Sequence, residues 1–438
     1  MKRLVGASAV VLAVSFITGC SLWSSKQTAA TVPPNTSTKE ITILLPEYAT
    51  ASSRTRNSSF EKGARLFEEA NPGVKVTVEK LPVTKGYRAA MTERLNDSKP
   101  VDLIFGPFDP VLNEQRAFAA DLIPLFKADK MTTDDLYENM VEMAKVNGKL
   151  LGIPMAPTPL AVFYNKEWFN KADLPFPGKE WTWEQFLNQS IKLQAANQVE
   201  GKEIFGSIVP LEMRLFESLA VSSGHSIISP DGKQMSGYLN SKPVAEALTK
   251  LLNHMNTTKA SKGVPSATNP VLQDLGAFHA GMGIGVINIF PYLENNQATK
   301  GKFGIAGLPY MEKGVRANAV YFSMLSISES SKQKALAWKF IKDVILNGDS
   351  PFQKEWIKED LLTVKSAFQK SGQHQVPGMD VLAGELEHGI KPIVFRNAAL
   401  NSVKIPDNRL FTATSETEVM ASLTDLAAEI DKQLLGKK

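Results

Sequence analysis

The chain has 438 residues, with 49 Lys plus Arg against 45 Asp plus Glu, five His, one Cys and a formal charge of +4. A single cysteine excludes an intrachain disulfide, and the near balance of charge, with no basic block interleaved with aromatics, argues against a nucleic-acid partner. The mature part is long enough for two or three domains of ordinary globular composition. Its charges are spread along helical patterns, as on solvated faces.

Met1-Lys2-Arg3 is a basic start, followed by an uncharged apolar stretch from Leu4 to Ile17 and then Thr18-Gly19-Cys20. The apolar stretch has the composition of a secretory signal and falls short of the ~20 residues of a membrane span. The only cysteine directly follows Gly19, which resembles a bacterial lipobox. That resemblance implies a signal peptide over 1–19 and a lipidated Cys20 as mature N-terminus. The alternative is an ordinary cleaved signal with an incidental cysteine, which leaves a lone thiol in an exported protein. Residues 20–39 continue with Ser, Thr, Ala and Pro and no hydrophobic period, a flexible tether. The expected relation to the membrane is anchoring rather than spanning.

The stretch Glu40–Leu45 reads as a first strand ending at Pro46-Glu47-Tyr48. Ser58-x-x-Glu61 has the form of a capping box, with Phe60, Ala64, Phe67 and Ala70 at helical spacing behind it. Asn71-Pro72-Gly73 stops that helix, Val74–Val78 alternates as a strand, a helix pattern runs from Tyr87 to Asn96, and Val101–Phe105 is a third strand. This βαβαβ order predicts a parallel sheet. Ligands of such sheets sit beyond the carboxyl ends of strands, which places Glu47, Tyr48, Phe108 and Asp109 at one rim. Tyr48 and Phe108 have two readings of equal weight, solute contact or packing against helix ends. Asp109, before Pro110, reads first as a helix cap and second as a ligand contact. An amphipathic helix is expected over 133–146, ending at an Asn147-Gly148 turn.

Three prolines within six residues, Pro154, Pro157 and Pro159, then make a stiff extended segment leading into an apolar strand, Leu160–Tyr164. From here the residues carry a specific resemblance. Gly148-Lys-Leu-x-Gly-Ile-Pro154, Tyr164-Asn-Lys166, Phe169-x-Lys-Ala172, a proline-rich loop and Trp183-x-x-Phe-Leu187 follow in order. This resembles the extracellular solute-binding proteins of bacterial ABC importers, of sugar-binding type, and Phe67–Val76 (FEEANPGVKV) matches as well. The resemblance implies an α/β fold, two-lobed and periplasmic-binding-protein-like (type II), with three inter-lobe crossings and a central cleft. It implies one lobe over 40–157 plus 303–347 and another over 158–302 plus 348–438, with the first crossing in the proline segment.

The family carries a glycine-bearing loop near bound solute, which maps here to Ser223, Gly224 and His225; a lone histidine is otherwise a surface or hydrogen-bonded group. Phe278-His-Ala-Gly281-Met282 resembles the family's helix-to-strand segment, departing from it at Met282 and Gly283. After that strand come Asn288, Phe290 and Tyr292, where many members place an aromatic platform for a sugar ring. The rival reading makes Phe290 and Tyr292 plugs of the lobe edge. Of the six tryptophans only Trp181, in the proline-rich loop, is free of a helix pattern or the tether. Lys302–Pro309 resembles the second crossing, Lys334–Leu346 reads as a helix capped by Ser330-x-x-Gln333, and Gly348–Pro351 is the expected third crossing. Arg396, in an apolar setting, suits a carboxylate or vicinal hydroxyls; a structural ion pair or solvation is the plainer reading.

Catalytic signatures are lacking: His-Glu-x-x-His, Cys-x-x-Cys, Gly-x-Ser-x-Gly and the phosphate-binding loop are all missing, and no two histidines stand four apart. Gly281-x-Gly283-x-Gly285 has the spacing of a dinucleotide loop but precedes a strand rather than following one. No cofactor or metal is expected. The expected function is capture of a solute, a carbohydrate or oligosaccharide first, by an exported lipid-anchored monomer that passes it to ABC permease subunits in the cell membrane. Two alternatives stay open, a receptor-like protein presenting solute to a membrane sensor and a surface enzyme acting on polysaccharide, whose paired carboxylates meet only in space.

Overall fold

The computed structural model describes residues 39–48, 50–107, 109, 117–397, 400 and 409–435. The chain divides into two units, residues 1–37 and 38–438, and the described residues all belong to the second. The signal segment, Cys20, the tether through residue 38 and Phe108 lie outside the described residues.

The first sheet has the order Val74–Pro82, Lys39–Glu47, Leu103–Pro107, Tyr321–Ile327, Ile153–Thr158. The first three strands are parallel, with Lys39 opposite Val74 and Glu47 opposite Pro82; Tyr321–Ile327 enters antiparallel, with Ser323 opposite Pro107. Ile41, Ile43, Leu44 and Leu45 are all buried, the signature of a strand covered on both faces. Helix Ala51–Ala70 covers one face through Phe60, Ala64 and Phe67. It starts about two turns before the expected capping box: Thr50 Oγ1 accepts the Ser53 amide at 3.2 Å, and Ser58 lies inside the helix. Its first turns are polar because they hold Arg56 toward Asp360, so no apolar stripe marks them.

The second sheet has the order Phe303–Ala306, Leu160–Asn165, Ala280–Val286, Phe205–Pro210, Ser261–Val264. Every residue of Ala280–Val286 is buried. A Cβ at Gly281, Gly283 or Gly285 would meet Trp168 at 2.9 Å, Val271 at 2.8 Å or Ile289 at 2.2 Å, so the glycines seat helices against this strand rather than cradle a phosphate.

The chain passes between the sheets at Pro159, since Ile153–Thr158 pairs in the first and Leu160–Asn165 in the second. Two other expected boundaries are corrected. Phe303–Ala306 pairs antiparallel with Asn165–Val162 and belongs to the second sheet, so the second crossing falls between Ala306 and Tyr321. Gly348–Pro351 is not the third crossing. Phe352 and Trp356, on helix Pro351–Trp356, join Phe60 and Phe105 of the first lobe with centroids 5.4–5.8 Å apart. The Lys365 amide still donates to Asp135 O at 2.7 Å, and helix Met379–Leu386 is the first later element packed on the second sheet. Helix Glu416–Leu435 then packs on Lys242–Thr258.

The expected helix over 133–146 shrinks to Glu138–Met143, because Lys145–Val146 pairs with Lys149–Leu150 across Asn147-Gly148. Both turn residues have positive φ, 51° and 77°, as a two-residue hairpin requires. The helix expected over 334–346 is α-helical only to Phe340 and continues as a π-helix, Ile341–Leu346. Ser330 does not cap it; Ser331 Oγ accepts the Gln333 amide at 3.0 Å. Among the described residues no helix is long and apolar enough to cross a membrane.

The first two crossings are joined by Asn318. Its Oδ1 accepts the Leu160 amide at 3.0 Å, while Nδ2 donates to Leu160 O at 2.7 Å and Glu385 Oε2 at 2.8 Å. Truncation by Asn318→Ala leaves a buried amide and a buried carboxylate oxygen without this partner, at about 1–3 kcal/mol per group. Chemical denaturation of the variant should show a loss of about 3 kcal/mol with an unchanged far-ultraviolet circular dichroism spectrum.

Candidate functional site

A cavity of about 1060 Å³ opens where the lobes meet. Its walls come from four places: Tyr87 and Arg88 at the start of helix Tyr87–Leu95, Asp109 beyond strand Leu103–Pro107, Tyr321 and Phe322 at the start of their strand, and Val394 and Phe395 in the 3-10 turn Ile393–Phe395 of the second lobe. The size lies at the upper end of the ~300–1,000 Å³ usual for small-molecule sites.

Tyr87 lies flat on the backbone at Gly106, where a Cβ would come within 2.3 Å of its hydroxyl, so glycine is required there. Burial pushes the Tyr87 phenol strongly up, and Tyr48 and Asp109 beside it add to the effect. It therefore stays a neutral hydroxyl donor. Arg88 Nε donates to Asp109 Oδ2 at 2.7 Å, and Asp109 is 8% exposed. Across the cavity the Tyr321 ring has the Arg214 guanidinium 4.9 Å from its centroid and the Phe395 ring at 5.8 Å. Burial pushes the Tyr321 hydroxyl up to about 12, against the opposing charge of Arg214. Arg214 in turn donates to Thr158 O at 3.1 Å and to Glu212 Oε1 at 3.1 and 2.9 Å. Thr158 Oγ1 donates to Tyr321 O at 3.1 Å.

Beneath this wall Glu217 is buried in helix Met213–Ser222, and its Oε2 accepts the Ile393 amide at 3.0 Å. Burial pushes its carboxyl up to about 8, although that hydrogen bond and the charge of Arg396 pull the other way. A smaller cavity of about 220 Å³ also lies between the lobes, with Ile287 and Phe290 facing Ile357, Glu359 and Gln373. Next to Glu359, Asp360 takes a two-pronged bond from Arg56, 2.6 Å on each oxygen. Tyr48, half-buried beside Arg56, has its hydroxyl pushed up by burial against the Arg56 charge.

The sequence-derived candidates distribute unevenly over these walls. Asp109 lines the large cavity as the partner of Arg88, and the helix cap expected of it falls on residues outside the described ones. Phe290 lines the small cavity. Tyr48 stands behind Arg56 and Tyr87. Glu47 is exposed at the end of its strand. Trp181 is not free: it is 4% exposed, donates Nε1–H to Gly307 O at 2.7 Å and packs edge-on against Phe186, a second-lobe core residue. Tyr292 is 55% exposed and borders a depression with Leu272 and Gly276, apart from the cavity that Phe290 lines, since positions two apart face different sides of a helix. Gly224, with φ 84°, ends a helix, and exposed His225 turns its Nδ1 to Ser223 O at 2.8 Å; neither borders a described cavity. Asn288 precedes helix Ile289–Asn295, its Oδ1 buried without a partner among the described residues. Arg396 is exposed, packs on Gly232 and acts on Glu217 through its charge.

The residues missed were Tyr87, Arg88, Arg214, Glu217, Tyr321, Phe322 and Phe395. The carboxyl-end rule does not reach Tyr321 and Phe322, because their strand runs antiparallel and brings its beginning to the rim where its neighbours end. A readable signal existed for Arg214 and Glu217: charged residues inside an otherwise apolar helix. The cavity as built offers aromatic faces, two phenol hydroxyls and one ion pair, which suits a ring-shaped polar solute. Among the described residues no three His, Cys, Asp or Glu side chains converge to hold a metal.

Comparison with known proteins identifies the family and the fold. The profile of the family described as bacterial extracellular solute-binding protein matches residues 51–350. A binding protein of Brucella abortus is 26% identical over 333 residues, covering 72% of this chain and 73% of its own. The ABC substrate-binding protein of Listeria monocytogenes in complex with cycloalternan superposes with a TM-score of 0.66 at 20% identity, over 91% of this chain and 100% of its own. The sugar-binding protein MalE of Xanthomonas citri gives 0.72 at 17% identity, over 91% and 98%. These are two-lobe periplasmic binding proteins, and the fold of this chain is the same.

Glu217 gives the stability a pH dependence. Its carboxyl holds a proton in the folded state that the unfolded chain releases near its ordinary value of 4.5. Folding stability from this group is therefore present below that value and falls as pH rises toward about 8, by at most about 1.4 kcal/mol per pH unit. Denaturation curves at pH 5, 6.5 and 8 should show this slope in the wild type and its loss in Glu217→Gln.

Proposed function

We propose a function from one premise: the chain belongs to the bacterial extracellular solute-binding protein family. The protein captures a carbohydrate between its lobes and hands it to an ABC importer, without turning it over. The observation that carries this reading is the composition of the 1060 Å³ cavity, whose aromatic and phenolic walls are shared by both lobes. Flat apolar rings match the apolar faces of a pyranose, and the Tyr87 and Tyr321 hydroxyls with the Arg88–Asp109 pair meet its hydroxyl groups. The Listeria and Xanthomonas proteins, named for a cyclic glucan and for sugar, lend the same support.

A solute that touches Tyr87 on one lobe and Phe395 on the other makes both sets of contacts only when the lobes are together. Binding then draws an open–closed equilibrium toward closure by its difference in affinity for the two states. The crossing segments at Pro159, between Ala306 and Tyr321, and between Lys370 and Met379 are the hinge. Export and attachment through a lipid on Cys20 place the protein at the outer face of the cell membrane, next to the permease it serves. It acts as a monomer.

Titration calorimetry with maltotriose, a cyclic glucan and a uronate tests the solute class. Saturable binding of one neutral saccharide, weakened about tenfold or more by Tyr321→Ala, that is by at least about 1.4 kcal/mol, is expected. Heat from none of the saccharides would overturn the carbohydrate assignment. For the anchor, Cys20→Ser should move the protein from the detergent-rich to the aqueous phase in a detergent phase-partition assay; an unchanged partition refutes lipidation.

A further inference from the structure

Helix Ala51–Ala70 starts just beyond the carboxyl end of strand Lys39–Glu47, the end at which ligands of a parallel sheet sit. Its Arg56 is held by Asp360 through Nε and Nη2, at 2.6 Å to each carboxylate oxygen. Asp360 is buried, while the Arg56 side chain keeps 20% of its surface exposed. The two-pronged bond leaves Nη1 of Arg56 without a partner among the described residues, and the hydroxyl of the neighbouring Tyr48 has none either. Neither atom is sealed from solvent: the side-chain atoms that are both unpartnered and closed off belong to other residues. Both residues stand between the two inter-lobe cavities. Tyr87, a wall of the large cavity, feels Tyr48, and Arg56 feels the charge of Glu359, a wall of the small one.

The charges around these two donors define what they can take. Asp360 cancels the charge of Arg56, and Glu359 adds a negative charge beside it. The large cavity repeats the pattern: Arg88 is matched by Asp109, and the exposed Lys85 and Glu93 add one charge of each sign. A carboxylate arriving at Arg56 would meet two carboxylates already in place, and like charges at such range repel. A hydroxyl or ring oxygen meets no such barrier. It can accept from Nη1, whose direction is fixed by the fork on Asp360, and a solute hydroxyl can bond the Tyr48 hydroxyl in either sense. We infer that Arg56 and Tyr48 are specificity-determining residues for the solute: they bind uncharged oxygens of it, and the carboxylates beside Arg56 turn acidic solutes away. The inference rests on capture of a saccharide between the lobes, and it extends that solute from the Tyr87 wall toward Glu359 and Phe290.

The test is titration calorimetry on the full chain and its variants, with maltotriose, a cyclic glucan and trigalacturonate as probes. A neutral probe should bind at least about tenfold more tightly than trigalacturonate. Arg56→Lys should weaken the neutral probe by about tenfold or more, since one ammonium cannot hold both Asp360 oxygens and also reach the solute. Tyr48→Phe removes a hydroxyl that bonds nothing in the protein, so it should leave the melting temperature unchanged while weakening the neutral probe by about threefold. It keeps the inference open to refutation even where Arg56→Lys does not fold. Asp360→Asn, which uncovers the arginine's charge, should narrow the preference over trigalacturonate, a change that loosened structure alone would not bring. Neutral binding left unchanged by Tyr48→Phe or by a folded Arg56→Lys, or trigalacturonate bound more tightly than both neutral probes, would overturn the inference and leave capture of a saccharide standing. Heat from none of the three would overturn that premise, and this inference with it.

Discussion

Helix Met213–Ser222 carries a polar stripe, Arg214, Glu217, Ser218 and Ser222, at the helical spacings of three and four, and all four are buried. Together they are matched to three returning segments. Arg214 donates to Thr158 O at the first crossing. Ser222 Oγ and Ser218 Oγ accept the amides of Met311 and Ala319 along the second. Glu217 accepts the amide of Ile393 beside the cavity. Chain passing between two sheets leaves both ladders, so its backbone groups need partners of another kind. One helix supplies them, and the position of the cavity wall follows from where that helix sits.

Asn318 does the same at the closest approach of two crossings. Proline at position 159 has no amide hydrogen, so the ladder is broken just before Leu160. The Asn318 carboxamide then meets both the N–H and the C=O of Leu160, as a neighbouring strand would. Glu385 holds the carboxamide from behind, and Arg316 Nη2 lies 2.5 Å from the other Glu385 oxygen. Burial raises the Glu385 carboxyl against the pull of Arg316 and its donors. Such a buried polar cluster adds little net stability over an apolar one, but a wrong register would leave its members unpaired. It accordingly fixes the register of the segments that pass between the two sheets.

The first lobe closes on itself differently. Arg56, brought forward by the polar opening turns of its helix, grips Asp360 with two bonds, and the Phe60, Phe105, Phe352 and Trp356 rings stack behind. This ties residues 351–370 to the lobe that begins the chain and delays the last crossing. Tyr48 and Glu359 stand beside the pair, so the same arrangement that holds the lobe together also shapes its face toward the second lobe.

Local chemistry was legible in the residues. The βαβαβ opening, the turn at Asn147-Gly148, the extended proline segment and the glycine-rich strand each follow from backbone preferences acting over a few positions, and a family resemblance spread over several short motifs pointed to the two-lobed fold. Pairing partners were not legible. Phe303–Ala306 and Tyr321–Ile327 are both apolar runs, yet one belongs to the second sheet and the other to the first. Trp181 and Tyr292 look alike as aromatics in loop-like or rim-like stretches, yet one is buried on Gly307 O and the other faces solvent. Sequence alone determined the bias of most segments toward strand, helix or turn, because that depends on neighbours within a few residues, while bounds such as those of Ala51–Ala70 and Glu138–Met143 came only from the fold. Only the tertiary structure decided which rings line the cavity and where the lobes begin, because those depend on bringing together residues such as Tyr87 and Tyr321, far apart in the chain and lining one cavity, whose juxtaposition has no local signal.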